Sequence, residues 1–329
     1  MAFIHHSNAS RFSIHAQTEA AMWTTAVFVK DESKRFGAYF GSFKALGAPY
    51  AVYKILADEV HTKTGARPSP AELRTFQYRD ITKSVTVCVA SDGDQGRELA
   101  YGAQLFGCRQ VSEGRADITK ELGAVVIRVN GEYKASVSRA KEDARMNNWF
   151  FVSSTSWPDF DNDIPQHEAL IAIPVLDHIT HVFVCGAVGS IAAAIFQGFY
   201  TRLHDNRPSG IPQFIVPCRV PLPAAWKVLH WLARGFVAVP DTIAVDSMKT
   251  LASGCEGDIS VVSGESSAAS MCVLLRASTD STVRNKLGLD ANSQVLLFVL
   301  EGATDSQIFE SLVGTSPAAV FAAKGPFAV

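Results

Sequence analysis

A lysine in an apolar, glycine-punctuated segment is the first residue that could do chemistry. Lys44 follows Phe43 and precedes Ala45 and Leu46, shortly after the charged stretch 30–35. Most single lysines are solvated charges on a surface. The apolar neighbours favour a second interpretation, because desolvation lowers the pKa of an amine and frees its lone pair to attack an aldehyde. Lys44 is therefore a candidate Schiff-base lysine.

A glycine-rich turn lies further along the chain, between a strand pattern at 181–185 and a helix pattern at 191–199. It consists of Gly186, Ala187, Val188, Gly189 and Ser190. Backbone N–H groups and the helix dipole at such a turn favour a phosphate dianion. The alternative is a tight turn that only packs glycine against a sheet. The Ser190 hydroxyl adds a donor, so the phosphate interpretation is favoured.

Two aspartates follow another strand pattern. The β-branched run 85–90 predicts a buried strand, and Asp92 and Asp94 come directly after it. Open α/β sheets bind ligands at the carboxyl ends of their strands. The alternative interpretation is capping of the next helix, which is a frequent task of aspartate.

Short motifs follow one another along the chain. They are KDESKRFG at 30–37, FKALGA at 43–48, DGxxGR at 92–97, SEGR at 112–115 with ELGA at 121–124, GxVGS at 186–190, SGES at 263–266 and EGATD at 301–305. In this order they resemble the diaminopropionate ammonia-lyase family, a fold-type-II (tryptophan synthase β-like) branch of the pyridoxal-phosphate-dependent enzymes. The resemblance extends over most of the chain. It implies pyridoxal 5'-phosphate as cofactor, a small amino acid as substrate and a homodimer.

The resemblance also assigns roles to single residues. Lys44 would form the Schiff base with the cofactor and return a proton, and Asp92 would act as a base on the substrate. The turn 186–190 would hold the cofactor phosphate. Phe43 and Leu300 occupy positions that contact the cofactor in the family.

Some of these implied site positions depart from the family pattern. Asp94 stands where an asparagine donates to an oxygen of the cofactor ring, and an ionised carboxylate cannot donate a hydrogen bond. Either Asp94 is protonated, or it places a second negative charge beside the ring oxygen and weakens cofactor binding. Ser154 replaces an aspartate that pairs with the second amine of a diamino substrate, so a hydroxylated or neutral substrate also fits. Leu300 replaces a threonine that hydrogen-bonds the ring nitrogen, at a cost of about 1–3 kcal/mol if that nitrogen is buried.

The chain is also shorter than the family pattern in two places. Only 108–111 separate Gly107 from Ser112, where the family carries a whole further strand, so we expect a sheet that lacks one member. After the strand pattern at 213–216 the chain runs almost directly into a helix pattern near 223, so we expect exposed apolar faces.

Composition is that of a chain with a large core. Its 329 residues are 47% hydrophobic and 19% charged, enough for two domains or one large α/β unit. A net charge of −2 without a basic block argues against a nucleic-acid partner. No apolar run approaches the ~20 residues of a membrane span, and the lack of a signal-peptide pattern predicts a cytoplasmic protein. The cysteines lack paired spacing and predict reduced thiols, and we expect no metal site.

Alternating strand and helix patterns predict an α/β fold with parallel sheets and helices on both faces. Predicted strands are 26–30, 85–90, 124–129, 149–153, 181–185, 213–216 and 294–299. Predicted helices are 43–57, 70–79, 95–106, 113–122, 132–146, 189–203, 223–234, 241–253 and 264–276. The resemblance further implies two domains with the cofactor in the cleft between them. Residues 1–81 and 156–329 would form the larger domain, with the lysine and the phosphate turn, and 82–155 the smaller inserted one.

The resemblance thus implies a pyridoxal-phosphate-dependent carbon–nitrogen lyase. It would carry out α,β-elimination on 2,3-diaminopropionate or a similar small amino acid and give a 2-oxo acid and ammonia. The alternative is a diverged pseudoenzyme or truncated paralogue that binds the cofactor weakly or not at all, which the residues at 94, 154 and 300 favour. A dinucleotide-binding enzyme is disfavoured because no GxGxxG motif opens a helix.

Overall fold

The computed structural model of the chain describes residues 9–12, 26–35, 40–91, 93–113, 117–131, 133–153, 178–203, 212–217, 223–254 and 259–323. Contacts divide the chain into two compact units. The small-sheet unit comprises residues 35–154 together with 1–2, and the large-sheet unit comprises residues 3–34 and 155–329.

Strands and helices alternate along the described residues. The strands are β1 (Ala9–Phe12), β2 (Ala26–Asp31), β3 (Thr86–Ala90), β4 (Arg109–Glu113), β5 (Val125–Ile127), β6 (Phe150–Phe151), β7 (His181–Val184), β8 (Gln213–Pro217), β9 (Ala233–Val237) and β10 (Gln294–Val299). The helices are α1 (Lys44–Thr64), α2 (Pro70–Arg74), α3 (Arg79–Thr82), α4 (Asp94–Phe106), α5 (Asp117–Glu121), α6 (Tyr133–Asn147), α7 (Ser190–Leu203), α8 (Pro223–Leu232), α9 (Asp241–Ser253), α10 (Glu265–Thr279), α11 (Ser281–Leu287), α12 (Ser306–Val313) and α13 (Pro317–Ala322). Among these described helices, none is long and apolar enough to cross a membrane.

The large-sheet unit is built on a six-stranded sheet with the order β1-β2-β10-β7-β8-β9. All neighbouring strands pair in parallel except β1 with β2. Side chains of β10 alternate between two cores. Leu297 belongs to the same core cluster as Leu274 of α10, whereas Phe298 lies edge-on to Phe199 of α7, with ring centroids 6.4 Å apart. Burial on both faces is what a parallel sheet covered by helices requires.

The small-sheet unit holds a four-stranded parallel sheet with the order β5-β4-β3-β6. Val87 and Val89 of β3 belong to a core cluster with residues of α1 and α4. Cys88, between them, belongs to a separate cluster with Ala144 of α6. The alternation places helices on both faces of this sheet too, as the sequence predicts.

Strand β4 corrects one expectation from the sequence. The short connection at 108–111 predicts a sheet that lacks a member, and this prediction is wrong, because β4 pairs with β3 on one side and β5 on the other. The chain enters the ladder directly after α4, where the Arg109 N–H donates to the Val85 carbonyl at 2.9 Å. The short segment and the first residues of SEGR therefore supply the strand themselves.

Two predicted helices are also wrong in part. The span predicted as a helix over 113–122 contains the end of β4 followed by the short α5, and the one predicted over 70–79 is divided between α2 and α3. In α2, Ser69 and Glu72 form a reciprocal capping box. Such a box satisfies the free N–H groups at the start of a helix, even one as short as α2.

The helix predicted over 223–234 ends at Leu232, and β9 follows it at the edge of the sheet. Pairing with β8, a non-local interaction, overrides the local helix pattern here. Large apolar side chains are exposed in this region, namely Trp226 at 46%, Trp231 at 80% and Phe236 at 41%. It is the region where the chain is shorter than the family pattern.

Helices α1 and α4 pack closely within the small-sheet unit. Val52 and Leu56 of α1 share a core cluster with Leu99 of α4. A Cβ added to Gly102 of α4 would lie only 2.8 Å from the Cα of Pro49 in α1. The absence of a side chain at 102 therefore sets the distance between the two helices.

This contact groups α1 with the small sheet. The resemblance instead assigns residues up to 81 to the larger domain, so the contacts of the described residues divide the chain at a different place. The domain boundaries 1–81, 82–155 and 156–329 stay a prediction.

We expect Gly102→Ala to destabilise the protein by about 1–3 kcal/mol, because the new methyl group would push against backbone of α1. Urea denaturation of the cofactor-free protein measures the change in the free energy of unfolding. Gly47→Ala is the matched control, since a Cβ there would meet nothing within 4 Å and alanine favours a helix by up to about 1 kcal/mol. A Gly102→Ala protein as stable as wild type would contradict the close packing.

Candidate active site

The amine of Lys44 lies at the start of α1, beside a carboxylate. Its Nζ is 3.6 Å from Oδ2 of Asp94, and the Lys44 side chain is 27% exposed. The ring of Phe43 lies below the same ammonium, with its centroid 5.7 Å from Nζ. The sequence predicts a desolvated amine at this position. The structure instead gives Lys44 partial access to solvent and an acidic neighbour, which favours the charged form of an amine.

Asp94 is the first residue of α4, and its carboxyl group is buried. The helix cap is Gly93, without a side-chain cap bond, so Asp94 does not serve as the N-cap. Its Oδ1 accepts a hydrogen bond of 3.1 Å from Nη2 of Arg97, while Oδ2 faces Lys44. Two cations and the positive end of a helix dipole therefore surround the carboxylate and favour its ionised form.

Arg97 connects Asp94 to a second, fully buried acid. Besides Asp94, its Nη2 donates to the Phe40 carbonyl at 2.6 Å and to Oε1 of Glu98 at 3.2 Å. Burial raises the pKa of Glu98 to about 8, against the lowering effect of Arg97. Within the described residues, Oε2 of Glu98 has no hydrogen-bond partner. Burial thus favours the protonated form of Glu98, a feature that sequence reasoning missed because burial of an acid leaves no local pattern.

The glycine-rich turn occupies the predicted place in the large-sheet unit, between β7 and α7. The Gly186 N–H donates to the Pro217 carbonyl at 2.8 Å, and the Gly189 N–H donates back to Gly186. Positive φ angles of 44° at Ala187 and 93° at Gly189 bend the chain so that it enters the helix sharply. The N–H groups of a helix's first turn have no acceptor within the helix. The turn therefore has the form of an anion-binding site.

Three of the sequence motifs meet at the carboxyl end of β10. A Cβ at Gly302 would lie 2.9 Å from Cβ of Ser33, and one at Gly264 would lie 2.7 Å from the Gly302 carbonyl. The Ser267 hydroxyl accepts a hydrogen bond of 2.9 Å from the Glu301 N–H. The segments that carry the motifs KDESKRFG, SGES and EGATD thus pack against one another by close approach of their backbones. This explains the glycines of the motifs, which the sequence alone leaves without a role.

Leu300 follows β10 directly and is buried, with 2% of its surface exposed. Its side chain offers no donor or acceptor. Asp92 and Ser154, the other predicted site residues, lie outside the described residues. Of the predicted set, the structure brings Phe43, Lys44 and Asp94 together in one unit and Gly186 to Ser190 together in the other.

We expect Glu98→Gln to remove a pH-dependent loss of stability. The carboxyl keeps its proton in the folded chain up to about pH 8 but loses it near its usual value of 4.5 when unfolded. Raising the pH through this window therefore lowers the stability of the wild type, whereas below it both states are protonated and the effect vanishes. Relative to wild type, the variant should gain on the order of 1–3 kcal/mol between pH 5 and pH 8.

Urea denaturation at both pH values measures this difference. Glu142→Gln, at an exposed position of α6, is the matched control and should show no such gain. A difference between Glu98→Gln and wild type that is the same at pH 5 and pH 8 would rule out the buried neutral acid.

The chain matches the family described as "Pyridoxal-phosphate dependent enzyme" over residues 14–299. It is 26% identical to the diaminopropionate ammonia-lyase of Salmonella typhimurium, over 88% of this chain and 83% of the relative. The crystal structure of the holo diaminopropionate ammonia-lyase of Escherichia coli has a TM-score of 0.80 at 23% identity, covering 95% of this chain and 88% of that one. The same enzyme in complex with D-serine has a TM-score of 0.79 at 23% identity, covering 97% and 90%.

These matches confirm the predicted fold-type-II α/β architecture and pyridoxal 5'-phosphate as the cofactor. Since the family match spans most of the chain, the protein belongs to the pyridoxal-phosphate-dependent enzymes.

Proposed function

We propose that the protein is a lyase that carries out α,β-elimination on 2,3-diaminopropionate or a similar small amino acid. Loss of the α-proton and of the β-amine leaves an enamine, which water converts into a 2-oxo acid and a second ammonia. The observation that carries the proposal is the amine of Lys44, partly exposed at the start of α1 within FKALGA. The curated relatives that match most of the chain, which are named diaminopropionate ammonia-lyases, support the reaction type.

The residues present suit two groups of the cofactor, its phosphate and its aldehyde. The turn with Ala187 and Gly189 at positive φ has the backbone form that suits a phosphate group, and Ser190 adds a hydroxyl. Lys44 is exposed enough to meet an aldehyde. Leu300 offers no hydrogen bond to a ring nitrogen, which this class of enzyme can leave neutral. We infer that the turn 186–190 and Lys44 hold the cofactor and that Phe43, Asp94 and Leu300 contact it.

When bound, pyridoxal phosphate supplies an aldehyde for attachment to an amine and a conjugated ring that accepts electrons from the α-carbon. The first-turn N–H groups of α7 and the Ser190 hydroxyl would bind the phosphate dianion. Lys44, once its amine is neutral, would move the proton at the α-carbon. Asp92 would act as a base on the substrate. These roles rest on the residues' types and their motif positions.

The proposed substrate class rests on Ser154, an uncharged residue where the family pattern has an aspartate. A serine there cannot pair with the cationic second amine of a diamino acid, whereas it can hydrogen-bond a hydroxyl group. We therefore propose β-hydroxy amino acids such as serine as substrates beside diaminopropionate. The D-serine complex of the Escherichia coli enzyme supports a site for small hydroxylated amino acids in a relative.

A cofactor-poor paralogue is the second candidate. The buried carboxylate of Asp94 beside Lys44 favours it, because an anion there opposes the neutral amine and repels an anionic ring oxygen. The buried Leu300 also favours a cofactor-poor paralogue, because the ring nitrogen of the cofactor would have no hydrogen-bond partner there.

We also propose that the protein acts in the cytoplasm as a homodimer. Family resemblance supports the assembly, and the composition, without a basic block or a long apolar run, supports the compartment and the absence of nucleic-acid partners. Sedimentation velocity of the full chain would give the mass of the assembly, and a monomer at micromolar concentration would contradict the dimer.

We expect Lys44→Ala to abolish covalent attachment of the cofactor and to lower 2-oxo acid release by about 10²–10⁴-fold, because attachment and proton transfer both need the amine. The absorbance spectrum with added pyridoxal phosphate, before and after borohydride, measures attachment. Release of 2-oxo acid from diaminopropionate, serine and threonine measures activity. Lys54→Ala, at an exposed position of the same helix, is the matched control.

A reducible band in wild type and Lys54→Ala but not in Lys44→Ala would support the lyase. A reducible band without 2-oxo acid from any of the three amino acids would contradict the proposed reaction. Absence of a band in wild type at saturating cofactor would favour the cofactor-poor paralogue.

We expect Ser190→Ala to raise the dissociation constant for pyridoxal phosphate about tenfold, because it removes one hydrogen bond to a charged group. Fluorescence titration measures the constant. Ser253→Ala removes a hydroxyl from an exposed position of α9 and should leave it unchanged. Equal affinity of Ser190→Ala and wild type for pyridoxal phosphate would contradict a role of the Ser190 hydroxyl in binding the phosphate.

A further inference from the structure

The ion pair between Lys44 and Asp94 has a consequence for cofactor attachment. We propose that Asp94 holds Lys44 as an ammonium in the cofactor-free protein and thereby slows its attachment to the cofactor. The inference rests on the proposed function in one respect, which is that Lys44 is the point of attachment.

The carboxylate of Asp94 is fixed in place as an anion. Its side chain is only 3% exposed, and Arg97 donates to Oδ1 while Oδ2 remains directed at Lys44, 3.6 Å away. Arg97 is itself held by the Phe40 carbonyl at 2.6 Å. The position at the first residue of α4 adds the positive end of the helix dipole. Asp94 therefore cannot turn away from Lys44 without losing its bond to Arg97.

A fixed anion at this distance stabilises the ammonium form of the lysine. An opposite charge within about 4–6 Å favours the charged form of a group, by about one pKa unit or more. Partial burial strengthens this interaction. The ring of Phe43, with its centroid 5.7 Å from Nζ, adds a further attraction for the cation. Both neighbours favour the charged state of the amine.

Attachment to an aldehyde requires the neutral amine. The ammonium must first lose one proton to solvent. The nitrogen lone pair then attacks the carbonyl carbon, a carbon–nitrogen double bond forms, and the carbonyl oxygen leaves as water with the two remaining amine hydrogens. Because Asp94 opposes the first of these events, it lowers the fraction of protein that can react at neutral pH.

The charged groups that α4 directs toward this amine are Asp94, Arg97 and Glu98. Arg97 is bound to both acids and partly offsets their effect. Besides burial and Arg97, the charges of Asp94 and Lys44 act on the pKa of Glu98, Asp94 raising it and Lys44 lowering it. Burial, which raises the pKa of Glu98 to about 8, favours its protonated form, so of the two acids of α4 it is Asp94 that carries the charge beside Lys44.

Reductive methylation tests the proposal without the cofactor. The full chain is freed of cofactor with hydroxylamine and dialysed, then labelled with formaldehyde and cyanoborohydride over a range of pH. Mass spectrometry of peptides gives the rate at Lys44. In Asp94→Asn we expect the pH midpoint of Lys44 labelling to fall by about one unit, which makes labelling at pH 8 about tenfold faster.

A second ion pair in the same unit provides the control. Lys83 and Asp80 are paired at 2.5 Å on the surface. Asp80→Asn should leave the midpoint of Lys44 where it is in wild type. Labelling of Lys83 in the Asp94→Asn protein should likewise match wild type.

Unchanged labelling of Lys44 in a folded Asp94→Asn protein would overturn the proposal. Asp94→Ser removes the same charge and replaces Asp94→Asn if thermal melting shows that the asparagine variant is unfolded. If neither folds, the wild-type profile decides. Burial alone lowers the midpoint of an amine, so a Lys44 midpoint below that of the exposed Lys54 would also overturn the proposal, and one at or above it would support the ion pair.

Adding pyridoxal phosphate to the same proteins separates this inference from the proposed function. If Lys44 is the point of attachment, Asp94→Asn should form the borohydride-reducible adduct at Lys44 about tenfold faster than wild type at pH 8. A faster methylation of Lys44 with no adduct at Lys44 in either protein would support the ion pair while contradicting the attachment. Faster methylation with equal rates of adduct formation would overturn the effect on cofactor attachment.

Discussion

The close contact between α1 and α4 is the constraint on which the surroundings of the Lys44 amine depend. Lys44 begins one helix and Asp94 begins the other, so the distance between their charged groups is set by how closely the helices approach. That approach requires the missing side chain at Gly102, where a Cβ would lie 2.8 Å from the Cα of Pro49. A contact two turns into α4 thus determines the electrostatics at its first residue.

Local sequence patterns predict those helices and strands whose own residues specify them. The strands β2 and β10 and the helices α4 and α9 lie within one residue of their predicted bounds, because their apolar periodicity and glycine ends are clear. The sequence could not predict β4 and β9, since each becomes a strand by pairing with a neighbour distant in the chain. The glycine turn was predictable because its chemistry is carried by the backbone.

The charge row of Lys44, Asp94, Arg97 and Glu98 was predictable only in part. The motif DGxxGR identified Asp94 as a candidate site residue. The interactions around Asp94 depend on the packing of two helices and on the burial of Glu98. Burial decides whether an acid is charged, and it depends on neighbours that are far apart in sequence. The roles of Ser33, Gly264 and Gly302 were hidden for the same reason, since three distant motifs meet at one strand end.

The edge strand β9 has a consequence for the behaviour of the protein at high concentration. Trp231 and Phe236, next to and within β9, expose large apolar side chains near this edge of the sheet, a feature that promotes association between chains. Arg234 is the exposed charge within this strand and opposes such contacts. With a net charge of only −2, long-range repulsion between molecules is weak. Local surface features such as this edge therefore weigh heavily in association between molecules.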